Sequence, residues 1–257
     1  MFSIALALLI CGLPVIVLGL YIYLKDKERE PFSLLAKLLG KGMLSCLLVL
    51  LVSGILSLFF PIFSSDYTKL SGNELMFYAF ICVALVEESC KYFFVYKETF
   101  NHKEFDTTFD MAVYASFVSL GFAFFENILY LIQYGVPTQF VRYFTAVPMH
   151  LCTGIFMGIY LGDAALAARK DLKESHKNKI FALIVPIFLH GFYDYTIMAG
   201  YDVVWIISFI AIVVLSIILV NLKRNHDVRL KYPNNLCPHC HERIVGIYCI
   251  KCGKKLF

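Results

Sequence analysis

Charge is scarce in this chain. Asp, Glu, Lys and Arg together make up 16% of its 257 residues, while 60% are hydrophobic and the mean hydropathy is +0.72. A soluble globular domain is about a quarter charged and roughly half apolar, so the balance excludes an ordinary soluble domain and points to lipid contact. The net charge of +4 says little, because in a membrane protein the placement of charge matters more than its sum. The sequence also lacks the marks of a cleaved leader. Met1-Phe2-Ser3 carries no basic segment, and the apolar run continues to Leu24 with no small-residue exit. That run reads as a retained span. Low-complexity segments and internal repeats are absent too. Paired repeats and broken helices in matched halves are the usual build of a carrier.

Long apolar runs are what the chain does have. Crossing a bilayer takes about 20 apolar residues, and residues 2–24, 43–63, 75–96, 109–134, 143–168, 180–199 and 203–222 qualify. The expected fold is an all-α polytopic transmembrane bundle of about seven spans. Its domains are a membrane body (1–222), a basic linker (223–235) and a small C-terminal module (236–257). Basic residues crowd alternate connections: Lys25, Lys27, Arg29, Lys37 and Lys41; Lys97 and Lys103; Arg169, Lys170, Lys173, Lys177 and Lys179; and Lys223, Arg224, Arg229 and Lys231. The remaining connections hold only Lys69 and Arg142. The positive-inside rule then puts the N-terminus outside and the C-terminus in the cytoplasm.

Several runs contain ionisable groups, each costing roughly 2.5–3.5 kcal/mol at mid-bilayer. Glu87, Glu88 and Lys91 lie in the third run, Glu126 in the fourth, His150 and Asp163 in the fifth, and His190 and Asp194 in the sixth. Counted from the centre of each run at ~1.5 Å per residue, Glu88, Glu126, His150 and His190 all fall within roughly 8 Å of the midplane. Asp163 sits nearer a helix end and reads as an interfacial structural residue. Lys91 is one turn from Glu87 and Glu88, and Asp194 one turn from His190, so each group shares a helix face. Asp194 can orient a ring nitrogen of His190 or join it as a ligand. Two His with carboxylates suit a zinc-type site that keeps a position for water. Adjacent glutamates also suit water activated by a carboxylate alone, with imidazoles stabilising an oxyanion. Gly121, Gly154, Gly158, Gly162 and Gly191 would let helices approach closely.

Glu87-Glu88-Ser-Cys-Lys91 resembles the EExxK motif of the PrsW family of intramembrane proteases. Phe122-Ala-Phe-Phe-Glu126 is similar to its FxxxE motif, and His190-Gly-Phe-Tyr-Asp194 to its HxxxD motif. His150, with the segment 157–162, resembles the remaining His-containing stretch. The four occur in order over roughly residues 25–222. The family is distantly similar to CAAX-prenyl proteases and to bacteriocin-processing and immunity proteins. The resemblance implies proteolysis, inside a bacterial plasma membrane, of a membrane-spanning protein such as an anti-sigma factor in stress signalling. It also implies that Glu87, Glu88, Glu126 and His190 are essential. On that reading Glu87 or Glu88 is the general base, and Lys91 and Asp194 complete the catalytic set. Glu126, His150 and His190 are the ligands of an active-site Zn2+ or other divalent metal, if the reaction uses one rather than glutamate alone. The competing readings are a proton-coupled transporter, with the same acids and His as a relay, and a non-catalytic immunity or scaffold protein.

Cys237, Cys240, Cys249 and Cys252 form two C-x2-C pairs with eight residues between them. That spacing gives two knuckles and four thiolates for a structural, tetrahedral Zn2+, as in a short zinc ribbon. A cytoplasmic position keeps the thiols reduced. The tail is expected to meet a cytoplasmic protein partner or to regulate the membrane body. Nucleic acid is not an expected partner.

Overall fold

The computed structural model describes residues 4–169, 171–230, 237, 239, 240, 242, 249 and 251–254. Among these, nine α-helices account for nearly all regular structure: α1 (Ile4–Lys25), α2 (Phe32–Ser57), α3 (Gly72–Phe77), α4 (Val86–Thr99), α5 (Asp110–Tyr134), α6 (Val136–Phe144), α7 (Ala146–Ala167), α8 (Leu172–Met198) and α9 (Asp202–Asn225). Between α3 and α4 the helix continues as a wider π stretch, Tyr78–Leu85. Five stretches are long and apolar enough to cross a membrane: α2, α5, α6 with α7, α8 and α9. The apolar part of α1, Leu9–Lys25, is shorter. The third expected span is the composite of α3, the π stretch and α4.

α5 forms the centre. Its residues from Asp110 to Ala123 are buried throughout, and it packs against α7 on one side and α2 on the other, with α1 alongside. α8 covers the far side of α7. Lipid-facing side chains belong to the outer helices, including Ile16 and Leu20 of α1, Leu51 of α2 and Val203 and Ile207 of α9. Their exposure needs no cover because a bilayer is the solvent there. Glycine sets the α5–α7 distance: a Cβ on Gly158 would lie 2.1 Å from the Met111 carbonyl oxygen. Gly121 does the same between α5 and α2, where a Cβ would meet the Leu39 carbonyl at 2.0 Å.

Two boundaries differ from the hydropathy reading. α2 starts at Phe32, eleven residues before the expected 43. Lys37 and Lys41 lie one turn apart, and both reach Glu98 of α4 at 2.8 Å. Their charges are answered by a neighbouring helix and do not end this one. The far end also shifts: α2 stops at Ser57, and Pro61 opens a short 3-10 turn, Pro61–Ser64. Asp163 is structural, held by Lys223 at 2.6 Å.

The start of the expected linker is part of the bundle, since α9 runs to Asn225 and Arg224 donates to the Lys25 carbonyl at 2.7 Å. Residues 226–230 then strap across the entry to α5. Thr108 N–H donates to the Val228 carbonyl at 3.0 Å, and Asp227 accepts from Phe109 N–H at 2.9 Å. Residues 231–236 of the linker, and 238, 241, 243–248, 250 and 255–257 of the expected tail module, lie outside the described residues.

Candidate active site

Four helices bring the expected residues together: α4 supplies Glu87, Glu88 and Lys91, α5 Glu126, α7 His150 and α8 His190 and Asp194. Adjacent residues on a helix point about 100° apart, so the glutamate pair splits in direction. Glu88 is fully buried and turns inward, where its Oε1 accepts from Nζ of Lys91 at 2.9 Å and from Nδ1 of His190 at 2.8 Å. Glu87 lines a cavity of about 490 Å3 together with Glu126, Arg142, His150, His190 and Asp194. The π stretch just before Val86 sets this facing, because the wider turn changes the angular register of everything after it.

The hydrogen bonds fix the proton positions. A carboxylate only accepts, so Nδ1 of His190 carries the proton that faces Glu88. Its Nε2 faces two more carboxylates, Asp194 Oδ2 at 3.3 Å and Glu87 Oε2 at 3.9 Å, and by the same rule carries a proton toward Asp194. His150 is arranged the opposite way. Lys91 is a donor with no acceptor, and its Nζ lies 3.0 Å from Nδ1 of His150. Nδ1 therefore accepts, and Nε2 donates to Glu126 Oε2 at 2.9 Å. The two imidazole rings are perpendicular with centroids 5.3 Å apart. Lys91, buried at 0% exposure, also stands 4.0 Å above the Phe122 ring.

Sequence reading assigned Arg142 to a loop. The structure places it on α6 and turns it inward. Its Nη2 donates to Glu126 Oε2 at 2.6 Å and its Nε to Asn127 Oδ1 at 2.7 Å, while its guanidinium lies 3.9 Å from the Tyr130 ring centroid. Gln139, one turn earlier, donates to the Asn127 carbonyl at 3.1 Å. The signal was present as the i,i+3 spacing of Gln139 and Arg142 in an otherwise apolar segment.

Depth is also more asymmetric than expected. α8 extends back to Leu172, which puts His190 about 7 Å from its midpoint, and His150 is about 10 Å from that of α7. Both displacements run toward the end of the bundle that carries the α2–α3, α5–α6 and α8–α9 connections. The cavity reaches the same end, with Tyr67, Tyr134 and Met198 in its wall.

The donors suit a metal. Ligand atoms of Glu87, His150 and His190 all lie within 4.8 Å of one another, and the three residues are buried. Glu87 Oε2 is a buried oxygen that makes no hydrogen bond, with Lys91 the nearby cation at 3.5 Å. Such an orphan is costly unless something fills it. His190 offers Nε2 once that nitrogen yields its proton to Asp194. For His150 to offer Nε2, its proton must shift to Nδ1, which releases Lys91 to the two glutamates. Glu126, the expected third ligand, is instead held by Arg142 and His150.

A model of the PrsW family intramembrane metalloproteases matches residues 30–221. The chain belongs to the PrsW family. It is 34% identical over 223 residues to Protease PrsW of Oceanobacillus iheyensis, covering 86% of this chain and 97% of that one. Against Protease PrsW of Bacillus subtilis the identity is 36% over 190 residues, with 72% and 80% covered. The Geobacillus kaustophilus protein of the same name is 37% identical over 188 residues, with 72% and 77% covered. No solved structure matches. The chain is thus an intramembrane protease of a bacterial membrane, and an intramembrane protease acts on a membrane protein.

This PrsW chain also carries the second cluster read from the sequence. Sγ atoms of Cys237 and Cys252 are 3.7 Å apart, and those of Cys240 and Cys249 are 3.3 Å apart. All four lie within 4.8 Å of one another, as a shared metal requires. The two C-x2-C turns repeat one pattern: Cys237 N–H donates to the Glu242 carbonyl at 2.8 Å, and Cys249 N–H to the Lys254 carbonyl at 3.0 Å. Gly253 closes the second turn at φ +66°. The N–H of Cys252, directed at the Cys249 sulfur, draws that thiol down to about 6.

Proposed function

We propose that this protein cuts a single-span membrane protein of the anti-sigma-factor kind within the bilayer, near the non-cytoplasmic face. The observation that carries the proposal is the cavity itself. Three carboxylates, two imidazoles and a guanidinium from five helices converge on a space that reaches one end of the bundle. Basic loops cluster at the opposite end, so the cavity mouth faces outward and supplies water from there.

The residues divide the work as follows. Glu87, His150 and His190 would hold a metal ion, Zn2+ or another divalent. The metal would supply a Lewis acid and a water of lowered pKa. Glu126, fixed by Arg142, would accept a proton from the attacking water and return it to the leaving amine. Glu88 holds His190 through Nδ1 and so presents Nε2. Lys91 pairs with both glutamates, and Asp194 borders the nucleophile's position beside Nε2. In the tail, the four cysteines would bind a structural Zn2+ as thiolates and so hold together a small cytoplasmic module that meets a protein partner.

The test is the position of the cut. Purified protein in lipid vesicles is given tagged single-span substrates, and the products are read by mass. Cleavage within the outer half of the substrate span supports this reading; cleavage only in soluble flanking segments contradicts it.

A further inference from the structure

A second group of acids lies at the opposite end of the bundle. Asp26 and Glu30 come from the α1–α2 loop, and Asp110 opens α5. Along α5, Asp110 is sixteen residues from Glu126, about 24 Å. The group is therefore separate from the protease cavity. All three residues are buried, at 5%, 5% and 0% exposure, and their carboxylate oxygens come within 4.8 Å of one another. Acids this close repel unless a cation or protons intervene.

What the protein itself provides is incomplete. Asp110 accepts from the N–H groups of Asp106 and Thr107 at 2.9 and 2.7 Å and from the Thr107 hydroxyl at 2.6 Å, so its carboxylate is held in place. Asp26 Oδ1 accepts from Glu28 N–H at 3.1 Å, but its buried Oδ2 has no partner. The Tyr114 hydroxyl, one turn along α5 from Asp110, is fully buried and faces the Glu30 carboxylate without a close hydrogen bond. Its charged neighbours are Glu30 and Asp110. Arg229 brings positive charge to this end, but pairs with Glu28 and stands 3.7 Å from Asp106, both outside the trio. The centre is thus lined with oxygen donors, two of them buried and unfilled.

We infer that Asp26, Glu30 and Asp110, with the Tyr114 hydroxyl, bind a hard divalent cation, Ca2+ or Mg2+. An all-oxygen donor set selects these ions over Zn2+, which favours nitrogen and sulfur. The ion fastens the α1–α2 loop to the start of α5. The strap 226–230 is hydrogen-bonded to that same entry, so the ion also steadies the point where the tail leaves the bundle.

The test is thermal unfolding of the full chain in lipid nanodiscs with Zn2+ present. Ca2+ and Mg2+ are titrated separately into wild type, Asp26→Asn, Glu30→Gln and Glu87→Gln. Asp26→Asn removes charge at an oxygen that makes no hydrogen bond, and Glu30→Gln gives a second, independent probe. A ligand that binds only the folded state raises the melting temperature saturably. At least one ion is expected to do so for wild type and Glu87→Gln, with half-saturation roughly tenfold or more weaker in both loop variants. The inference is overturned if neither ion shifts wild type, if the shift survives unchanged in the loop variants, or if it vanishes in Glu87→Gln.

Discussion

Glu88 Oε1 and His190 Nδ1 are 2.8 Å apart, across 102 residues of sequence and between two helices. This contact settles which nitrogen of His190 faces the cavity. A ligand imidazole held by a carboxylate on its other nitrogen keeps its tautomer, and loss of such a partner typically costs 10–100-fold in metal affinity or activity. Glu88→Gln is therefore expected to lower kcat by about that factor while leaving the substrate KM near wild type. Steady-state cleavage in vesicles checks it. An unchanged kcat would detach Glu88 from the site.

Arg142 positions Glu126 through a guanidinium fork that Lys cannot reproduce. Arg142→Lys is expected to lose roughly 10–100-fold in kcat, and Arg142→Ala more, since it leaves a buried carboxylate without its cation. Asn127→Asp, which gives the fork a charged acceptor, should keep Arg142 in place and retain more activity than Arg142→Lys. Cleavage rates of the three variants, measured in one lipid, test the order.

Gly158 is a packing requirement. With a Cβ placed 2.1 Å from a carbonyl oxygen of α5, Gly158→Val forces α7 away from α5, at a cost of roughly 1–3 kcal/mol or more. The variant should melt several degrees lower and lose activity, because α5 carries Glu126 and α7 carries His150. Gly40→Ala, at a position with nothing within 4 Å, should be neutral in the same assay.

The tail should hold metal independently of the active site. Wild type is expected to bind one more equivalent of zinc than a variant with Cys237, Cys240, Cys249 and Cys252 all changed to Ser, while the variant keeps its proteolytic activity. Metal analysis paired with cleavage checks both halves. Equal zinc in the two proteins would remove the tail site.

Much of this arrangement was legible in the sequence. Ionisable groups inside apolar runs are costly, so Glu87, Glu88, Glu126, His150 and His190 stood out singly and their motifs gave the order. The cysteine spacing gave the tail in the same way. What sequence reading missed depends on neighbours distant along the chain. Lys37 and Lys41 read as loop charges because Glu98, their partner, lies nearly sixty residues away. Arg142 read as a connection residue because α6 is short and its inward face is set by Glu126 and Asn127. Hydropathy placed His190 at mid-span, and only the backward extension of α8 to Leu172 shows it displaced toward one end. The division between Glu87 and Glu88 needs the π stretch, which no periodicity in Tyr78–Leu85 announces.

The most direct measurement compares wild type, Glu87→Gln and Glu126→Gln in lipid, each with the four tail cysteines changed to Ser, reading cleavage of a single-span substrate and bound metal together. The account predicts that wild type cleaves and holds metal, that Glu87→Gln loses both, and that Glu126→Gln loses cleavage but keeps the metal. Cleavage undiminished in both variants, or metal retained in Glu87→Gln and lost in Glu126→Gln, would contradict it.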